Sequence, residues 1–287
     1  MTYSKSPGEA EPRPRARTQN HREVTVSKMK RKSQVLLIIL LTAVICLCGY
    51  QLWKMSERYV KEEQIKKKLA SYLPPDIKTI SSPAEKPEEN PTEDSIETEE
   101  ELPEPQVNRF IVNLQNEVNK DIAGWITVPG TNIDYPFVKA ADNNYYLRRD
   151  VFGSYALAGT VFMDYRCAAD FTGFNTIIYG HNMKNNSMFG DLCLFEDEWF
   201  FEAVRFGTIF LKDKTYTLEF FAFMIVREDD NIIYDPYATA EDSDKFFEYV
   251  KACARNYREP DREKRAVTLS TCSNDGSVRV VLIANIT

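Results

Sequence analysis

The sequence predicts a mainly β fold, an antiparallel barrel with added helices that follows a single transmembrane helix. Strand candidates rich in Val, Ile, Thr, Phe and Tyr occur in series, separated by Asp, Gly or Asn turns. They cover residues 159–165, 175–179, 208–212, 216–226, 266–272 and 278–286. Helical spacing of apolar residues is confined to a few segments, and one uncharged run near the N-terminus has the length of a membrane span. A closed barrel with helices added is the economical architecture for this pattern.

Residues 33–53 are predicted to form that span. Residues 35–50 carry no charge, and residues 51–53 extend the run to about the 20 residues that a helix needs to cross a bilayer. Residues 1–32 hold nine Lys or Arg against three Glu, which predicts a basic cytoplasmic tail and an extracytoplasmic remainder in a single-pass membrane protein. A cleaved signal peptide is the alternative, but the run is longer than a signal core and no small-x-small site follows it.

Residues 54–105 are predicted to form a stalk. Residues 54–72 mix Glu and Lys with spaced Val, Ile and Leu, which favours a helix that continues out of the membrane. Residues 74–105 hold eleven acidic residues against two Lys, with much Pro and little to bury, so they are expected to be a disordered tether.

Residues 106–287 are enough for one folded domain. The linker's charge roughly accounts for the net charge of -7, so the domain is close to neutral and nothing indicates nucleic-acid binding. Apolar spacing predicts a helix within residues 108–119, followed by extended chain at 123–130, and a second helix at 243–256.

Only one of the two histidines, His181, lies on the same side of the predicted span as Cys272. The turn sequence at 273–277 predicts a hairpin, which places Arg279 across from or diagonal to Cys272. A nearby cation favours the thiolate, the reactive form of cysteine. These residues alone leave a second interpretation open, in which the cysteine is inert, the histidine belongs to the core and the arginine reaches water.

The remaining candidates predict no further site. Three other extracytoplasmic cysteines form no disulfide framework and are expected to be reduced, with a Cys167–Cys193 bridge left as an alternative. No His or Cys cluster has metal-ligand spacing, and no cofactor is expected. The acidic residues Glu228, Asp229 and Asp230 are interpreted as a solvated turn rather than a calcium site.

Two motifs together resemble the active-site signature of sortases, the cysteine transpeptidases of Gram-positive bacterial surfaces, and of class B in particular. They are Thr268-Leu269-Ser270-Thr271-Cys272 followed by Arg279, and Tyr179-Gly180-His181-Asn182 upstream. Residues 142–147 and 159–164 support the likeness, as does the helix at 243–256, where class B sortases insert one before the cysteine strand. The similarity runs over residues 108–287 and implies a sortase-type closed barrel with added N-terminal helices.

The resemblance implies that Cys272 is the nucleophile, His181 the general acid and base, and Arg279 the group that holds substrate and oxyanion. Residues implied to border the substrate or support the histidine are Asn143, Asn182, Ser270 and Thr271. Family members cleave a C-terminal sorting signal and join the new carboxyl end to an amine. Class B signals tend to be of the Asn-Pro-x-Thr-Asn or Asn-Pro-x-Thr-Gly kind.

The expected partners are therefore surface proteins that bear such a signal, and an amine acceptor from a cell-wall precursor. A pilin lysine is the alternative acceptor. Only six residues separate Cys272 from Arg279, so the loop that forms one wall of the substrate groove is short. The preference for a particular sorting signal is therefore left open. A papain-like hydrolase is disfavoured because its cysteine precedes its histidine and lies on a helix. A non-catalytic surface scaffold is the remaining alternative.

Overall fold

The computed structural model describes residues 16–75, 77, 107–272 and 278–287. Most of the predicted acidic tether and the predicted hairpin turn at 273–277 lie outside the described residues. The chain divides into two compact units, Met1–Ile65 and Lys66–Thr287.

A long helix, α1 (Ala16–Ala70), contains both the predicted span and the predicted helix that follows it. Among the described residues it is the one helix long and apolar enough to cross a membrane, over Arg31–Ala70. Its uncharged run at residues 35–50 contains no helix-breaking proline, which is consistent with unbroken helix through this stretch.

The end of α1 and the residues after it belong to the second unit. Leu69, Leu73 and Ile77 recur every four residues and are all buried. Tyr72 donates its hydroxyl to Glu117 Oε2 at 3.1 Å, which ties the same stretch to the helix that opens the folded domain. Part of the predicted stalk, from Lys66 onward, therefore belongs to the second unit, where these three apolar side chains are buried.

The described part of the second unit contains nine strands, eight of which close into a barrel. The strands are β1 (Ile122–Thr127), β2 (Asp134–Val138), β3 (Val161–Met163), β4 (Asn175–Tyr179), β5 (Phe206–Phe210), β6 (Thr215–Val226), β7 (Asn256–Tyr257), β8 (Ala266–Cys272) and β9 (Arg279–Ile286). Neighbours run in the order β1-β2-β3-β4-β8-β9-β6-β5, and β5 pairs back with β1, while β7 adds to β6. The predicted barrel is confirmed, and the structure adds that β2–β3 and β4–β8 are parallel pairs.

Within the described residues from 107 onward, three α-helices accompany the barrel, namely α2 (Arg109–Glu117), α3 (Glu198–Ala203) and α4 (Ser243–Cys253). The predictions of α2 and α4 are confirmed, although α4 ends before residue 256 because Ala254 turns to extended chain. Sequence patterns missed β2 and α3. Pro136 lies inside β2 and supplies no backbone N–H, and α3 is too short for a periodic signal, although Asp197 caps it by accepting from Phe200 N at 2.9 Å.

Strand β9 is buried on both faces. Its residues Val280, Leu282, Ala284 and Ile286 pack in one core cluster, and Val281 and Ile283 in a second that contains Phe246 and Phe247 of α4. A slip of one residue would exchange the two sets of side chains. The register that begins at Arg279 is therefore strongly specified.

Candidate active site

The three residues expected to carry the chemistry lie at one rim of the barrel, at or just beyond the ends of three neighbouring strands. β4 runs parallel to β8 with Tyr179 opposite Ser270, and Gly180 donates its N–H to Ser270 O at 3.1 Å. Because the carboxyl ends of parallel neighbours meet at one edge, His181 and Cys272 follow at that edge, each two residues farther on. β9 begins at the same edge, since its first residue Arg279 pairs directly with Cys272.

A cleft of about 660 Å³ opens at this rim. Five of the seven predicted site residues line it, namely Asn143, His181, Ser270, Thr271 and Arg279. Its volume lies within the range of about 300–1,000 Å³ that is usual for ligand sites. The sequence motifs therefore converge on a cavity of a size suited to a bound ligand.

The His181 imidazole is partly buried and bonded to the chain through one nitrogen. Nε2 lies 2.8 Å from Leu147 O, and because a carbonyl oxygen can only accept, Nε2 carries a proton. The neutral ring then has its lone pair on Nδ1. Burial lowers the pKa of His181 below its usual value; the nearby charges of Arg148 and Arg279 lower it further, and the Leu147 hydrogen bond opposes the shift.

The Arg279 guanidinium forms an ion pair across the cleft wall. Nη2 donates to Glu228 Oε2 at 2.9 Å, and the Glu228 side chain is 69% exposed. An ion pair with so exposed a partner contributes at most about 1 kcal/mol, so it can be exchanged for another partner. The sequence predicts a solvated turn at Glu228, and only the position of the loop after β6 shows that this side chain reaches Arg279.

A buried carboxylate, Asp164, organises the opposite wall. Its Oδ1 accepts from Arg166 N and Nε, both at 2.9 Å, and its Oδ2 accepts from Arg166 Nη2 at 2.8 Å. Oδ2 also accepts from Asn143 Nδ2 at 3.0 Å and Tyr179 OH at 3.1 Å. Burial raises the pKa of Asp164, but these hydrogen bonds and the Arg166 charge outweigh burial and lower it overall. The sequence pattern that could have identified this carboxylate is Asp-x-Arg (residues 164–166) directly after the buried strand β3.

The other predicted residues fall in two places. Ser270 is buried in the cleft floor with its Oγ 2.8 Å from Tyr234 OH, and Thr271 Oγ1 has no hydrogen-bond partner among the described residues. Asn182 points elsewhere, since its Nδ2 donates to Cys193 Sγ at 3.8 Å and it is not among the described residues that line the cleft. The structure therefore places Ser270 and Thr271 in the cleft with His181 and Arg279, and leaves Asn182 outside it.

The other cysteines are free thiols. Cys167 is buried, with its Sγ accepting from Ile177 N at 3.4 Å, Cys193 is half-buried and Cys253 is exposed. The Cys167–Cys193 bridge that the sequence left open is not formed. Within the described parts of the chain, no group of three or more His, Cys, Asp or Glu side chains is arranged to hold a metal ion.

A family model described as "Sortase domain" matches residues 126–287, more than half of the chain. The chain therefore belongs to the sortase family, whose members are cysteine transpeptidases.

The similar proteins are class B sortases, which confirms the resemblance seen in the motifs. Sortase B of Listeria monocytogenes is 36% identical over 162 residues, which are 55% of this chain and 65% of that protein's length, just under two thirds. A Staphylococcus aureus sortase B–substrate complex superposes with a TM-score of 0.59 at 29% identity, covering 63% of this chain and 86% of that one. A Streptococcus pyogenes class B sortase involved in pilus biogenesis superposes with a TM-score of 0.56 at 33% identity, covering 61% of this chain and 97% of that one.

The glycine before His181 supports a specific prediction. A Cβ on Gly180 would lie 2.6 Å from Phe189 Cγ, and Phe189 is fully buried and donates its N–H to His181 O at 3.0 Å. Gly180→Ala is therefore expected to lower the free energy of unfolding by about 1–3 kcal/mol, the usual cost of overpacking. Gly173→Ala is the control, because its nearest atom would be 3.9 Å away. Equal denaturant midpoints for the two variants would contradict the prediction.

Proposed function

We propose that this chain is a membrane-anchored class B sortase. It cleaves a C-terminal sorting signal of the Asn-Pro-x-Thr-Asn or Asn-Pro-x-Thr-Gly kind through a thioester on Cys272. It then transfers the acyl group to an amine of a cell-wall precursor and so anchors surface proteins. The observation that carries this proposal is the backbone register that pairs Cys272 of β8 with Arg279 of β9 and brings the end of β4, two residues before His181, to the same rim.

The proposed reaction exchanges one amine for another. The Cys272 thiolate adds to the scissile carbonyl carbon, and the carbonyl electron pair moves to oxygen. The oxyanion collapses as the C–N bond breaks, and the leaving nitrogen takes a proton from the His181 imidazolium. The incoming amine then attacks the thioester, His181 takes the amine's proton, and the thiolate leaves. The protonated Nε2 stays on Leu147 O, so Nδ1 is the nitrogen available for these transfers.

Arg279 is proposed to stabilise the oxyanion and hold the substrate backbone. Its guanidinium lines the cleft and pairs with an exposed carboxylate that a substrate can replace. Ser270 and Thr271 are proposed to border the bound signal, since both line the cleft directly before Cys272. Asn143 is proposed to support the histidine side of the cleft, where its amide is held by Asp164.

A second acceptor is favoured by one comparison. The similar Streptococcus pyogenes class B sortase is described as involved in pilus biogenesis, which supports a pilin lysine as the alternative amine. The description of the Staphylococcus aureus relative as a substrate complex supports a peptide signal as the acyl donor. Both acceptors are primary amines and fit the same chemistry, so the product decides between them.

The proposed organisation of the chain follows from α1. Residues 1–32 form the basic cytoplasmic tail, residues 33–53 the anchor, residues 54–105 the stalk and linker, and residues 106–287 the extracytoplasmic catalytic domain. The apolar run within α1 and its basic flank support this orientation.

The nucleophile is tested by replacing it in the full chain. Incubation with sorting-signal peptides is expected to give a thioester adduct by mass spectrometry in the wild type and none in Cys272→Ala. Cys253→Ser is the control, because Cys253 is an exposed thiol on α4 and should not be needed. An adduct that persists in Cys272→Ala would refute the proposal, and a wild type that forms none would favour the scaffold. Sequencing the product with both amines present identifies the acceptor.

The anchor is tested with the same exposed thiol. In intact cells, a membrane-impermeant maleimide is expected to label Cys253, with Cys253→Ser showing how much signal comes from other thiols. Labelling that requires permeabilised cells would place the domain inside and overturn the orientation. The mass of the membrane-extracted chain should include residues 1–53, whereas their loss would establish a cleaved signal peptide instead.

Glu228 is expected to compete with substrate for Arg279. Glu228→Gln should lower KM for the sorting peptide about two- to fivefold with little change in kcat, the scale of an exposed ion pair. Asp229→Asn is the matched control, because the neighbouring Asp229 also lines the cleft but pairs with Arg227 at 2.8 Å. Raising the salt concentration should reduce the difference in KM between Glu228→Gln and the wild type, because salt screens the exposed ion pair. A raised KM in Glu228→Gln would contradict the competition.

A further inference from the structure

The hydrogen-bond partner of the His181 ring is a backbone carbonyl. Nε2 donates to Leu147 O, in the short 3-10 helix Tyr146–Arg148. A carbonyl can select the ring tautomer and orientation only as accurately as its own loop is held. The question is therefore what holds this loop against the strand that carries the histidine.

The loop before Leu147 is held at Asn143. Asn143 Nδ2 donates to Asp164 Oδ2 at 3.0 Å, and Asn143 Oδ1 accepts from Tyr165 N at 3.0 Å. Asp142 Oδ1 then accepts from the N–H groups of residues 144 and 145, at 2.7 and 2.8 Å, which leads the chain directly into the 3-10 helix. Few freely rotating residues separate Asn143 from Leu147, so a shift at Asn143 moves the carbonyl.

The strand that carries the histidine is held at the same carboxylate. Tyr179 OH donates to Asp164 Oδ2 at 3.1 Å, and only Gly180 separates Tyr179 from His181. The Tyr179 ring is also stacked on Tyr234 and packed against Phe162, with ring centroids 6.2 and 5.3 Å apart. Both sides of the His181–Leu147 hydrogen bond therefore meet at one oxygen atom of Asp164.

We propose that Asp164 is the positioning residue of this active site. Through Asn143 it fixes the loop that presents Leu147 O, and through Tyr179 it fixes the strand end that presents His181, and so it holds the imidazole with Nε2 protonated. The inference deepens the proposed function, on which it rests, because a fixed tautomer leaves Nδ1 as the nitrogen that exchanges protons with the reacting groups.

The charges around the two groups make this arrangement stable across the neutral range. Asp164 is fully buried and faces Arg166, whose ion pair offsets the cost of burial, and its lowered pKa keeps it ionised. Charge-assisted hydrogen bonds from Asn143 and Tyr179 are stronger than those to a neutral group. The cations that face His181 are Arg148 and Arg279, and neither contacts Asp164.

Removal of a single link is the informative test, because Asp164→Asn itself also disturbs the ion pair with Arg166. Tyr179→Phe deletes one hydroxyl and Asn143→Ala one amide, and each leaves the Asp164–Arg166 pair intact. The matched controls are Tyr234→Phe, whose hydroxyl contacts Ser270 and not Asp164, and Asn144→Ala, an exposed residue of the same turn.

The tautomer and the pKa of His181 are measured by ¹⁵N NMR of the full chain, which is labelled with ¹⁵N at its histidines and held in detergent micelles. With two histidines in the sequence, a His21→Gln background leaves the His181 signals alone. In Tyr179→Phe and Asn143→Ala, the Nε2-protonated tautomer is expected to lose its dominance. The pKa of His181 is expected to fall further, since the hydrogen bond to Leu147 O is the contact that raises it. Tyr234→Phe and Asn144→Ala should keep the wild-type tautomer.

Kinetics of transpeptidation give an independent measure. The two test variants are expected to lose about 10- to 100-fold in kcat with little change in KM, the scale of a small misplacement of a catalytic group. If their tautomer and pKa match the wild type, the inference is overturned whatever the activity. If the tautomer shifts as expected but the wild-type chain transfers no acyl group, the positioning role stands and the proposed function falls.

Discussion

The register of β8 between β4 and β9 is the constraint on which the rest of the site depends. β8 pairs in parallel with β4 and antiparallel with β9. The end of β8 at Cys272 therefore lies at the same rim as His181, which follows β4, and Arg279, which begins β9. Burial of both faces of β9 specifies the antiparallel register, because a one-residue slip would exchange the two packed faces. Closure of the barrel then holds the backbones of His181, Cys272 and Arg279 at the same rim.

The walls of the cleft differ in their electrostatics. On the Asp164 side, the carboxylate of the ion pair with Arg166 is fully buried and accepts several hydrogen bonds, so it is costly to disturb. On the Glu228 side, the ion pair with Arg279 is exposed and cheap to exchange. This asymmetry is consistent with the proposed roles, in which His181 is held in place and Arg279 exchanges Glu228 for substrate.

Part of the predicted stalk belongs to the same compact unit as the barrel. Leu69 and Leu73 pack into the second unit, and Tyr72 bonds to Glu117 of α2. These residues and the barrel fall in the same compact unit, Lys66–Thr287. Composition predicts a disordered tether over residues 74–105, but it carries no information about which neighbouring stretches pack with the barrel.

The sequence by itself determined the class of fold, most strands, the two longer helices of the domain and the family, because periodicity, turn residues and two motifs are local properties. It also paired Cys272 with Arg279, since a hairpin is set by a short turn. Only the tertiary structure decided that β4 lies parallel to β8, that Glu228 reaches Arg279 and that Asp164 joins Asn143 to Tyr179. Those contacts connect residues far apart in the chain or brought together across strands, and they depend on barrel closure, which no local pattern encodes. Asn182 shows the converse, because adjacency to His181 in the motif did not bring its side chain into the cleft.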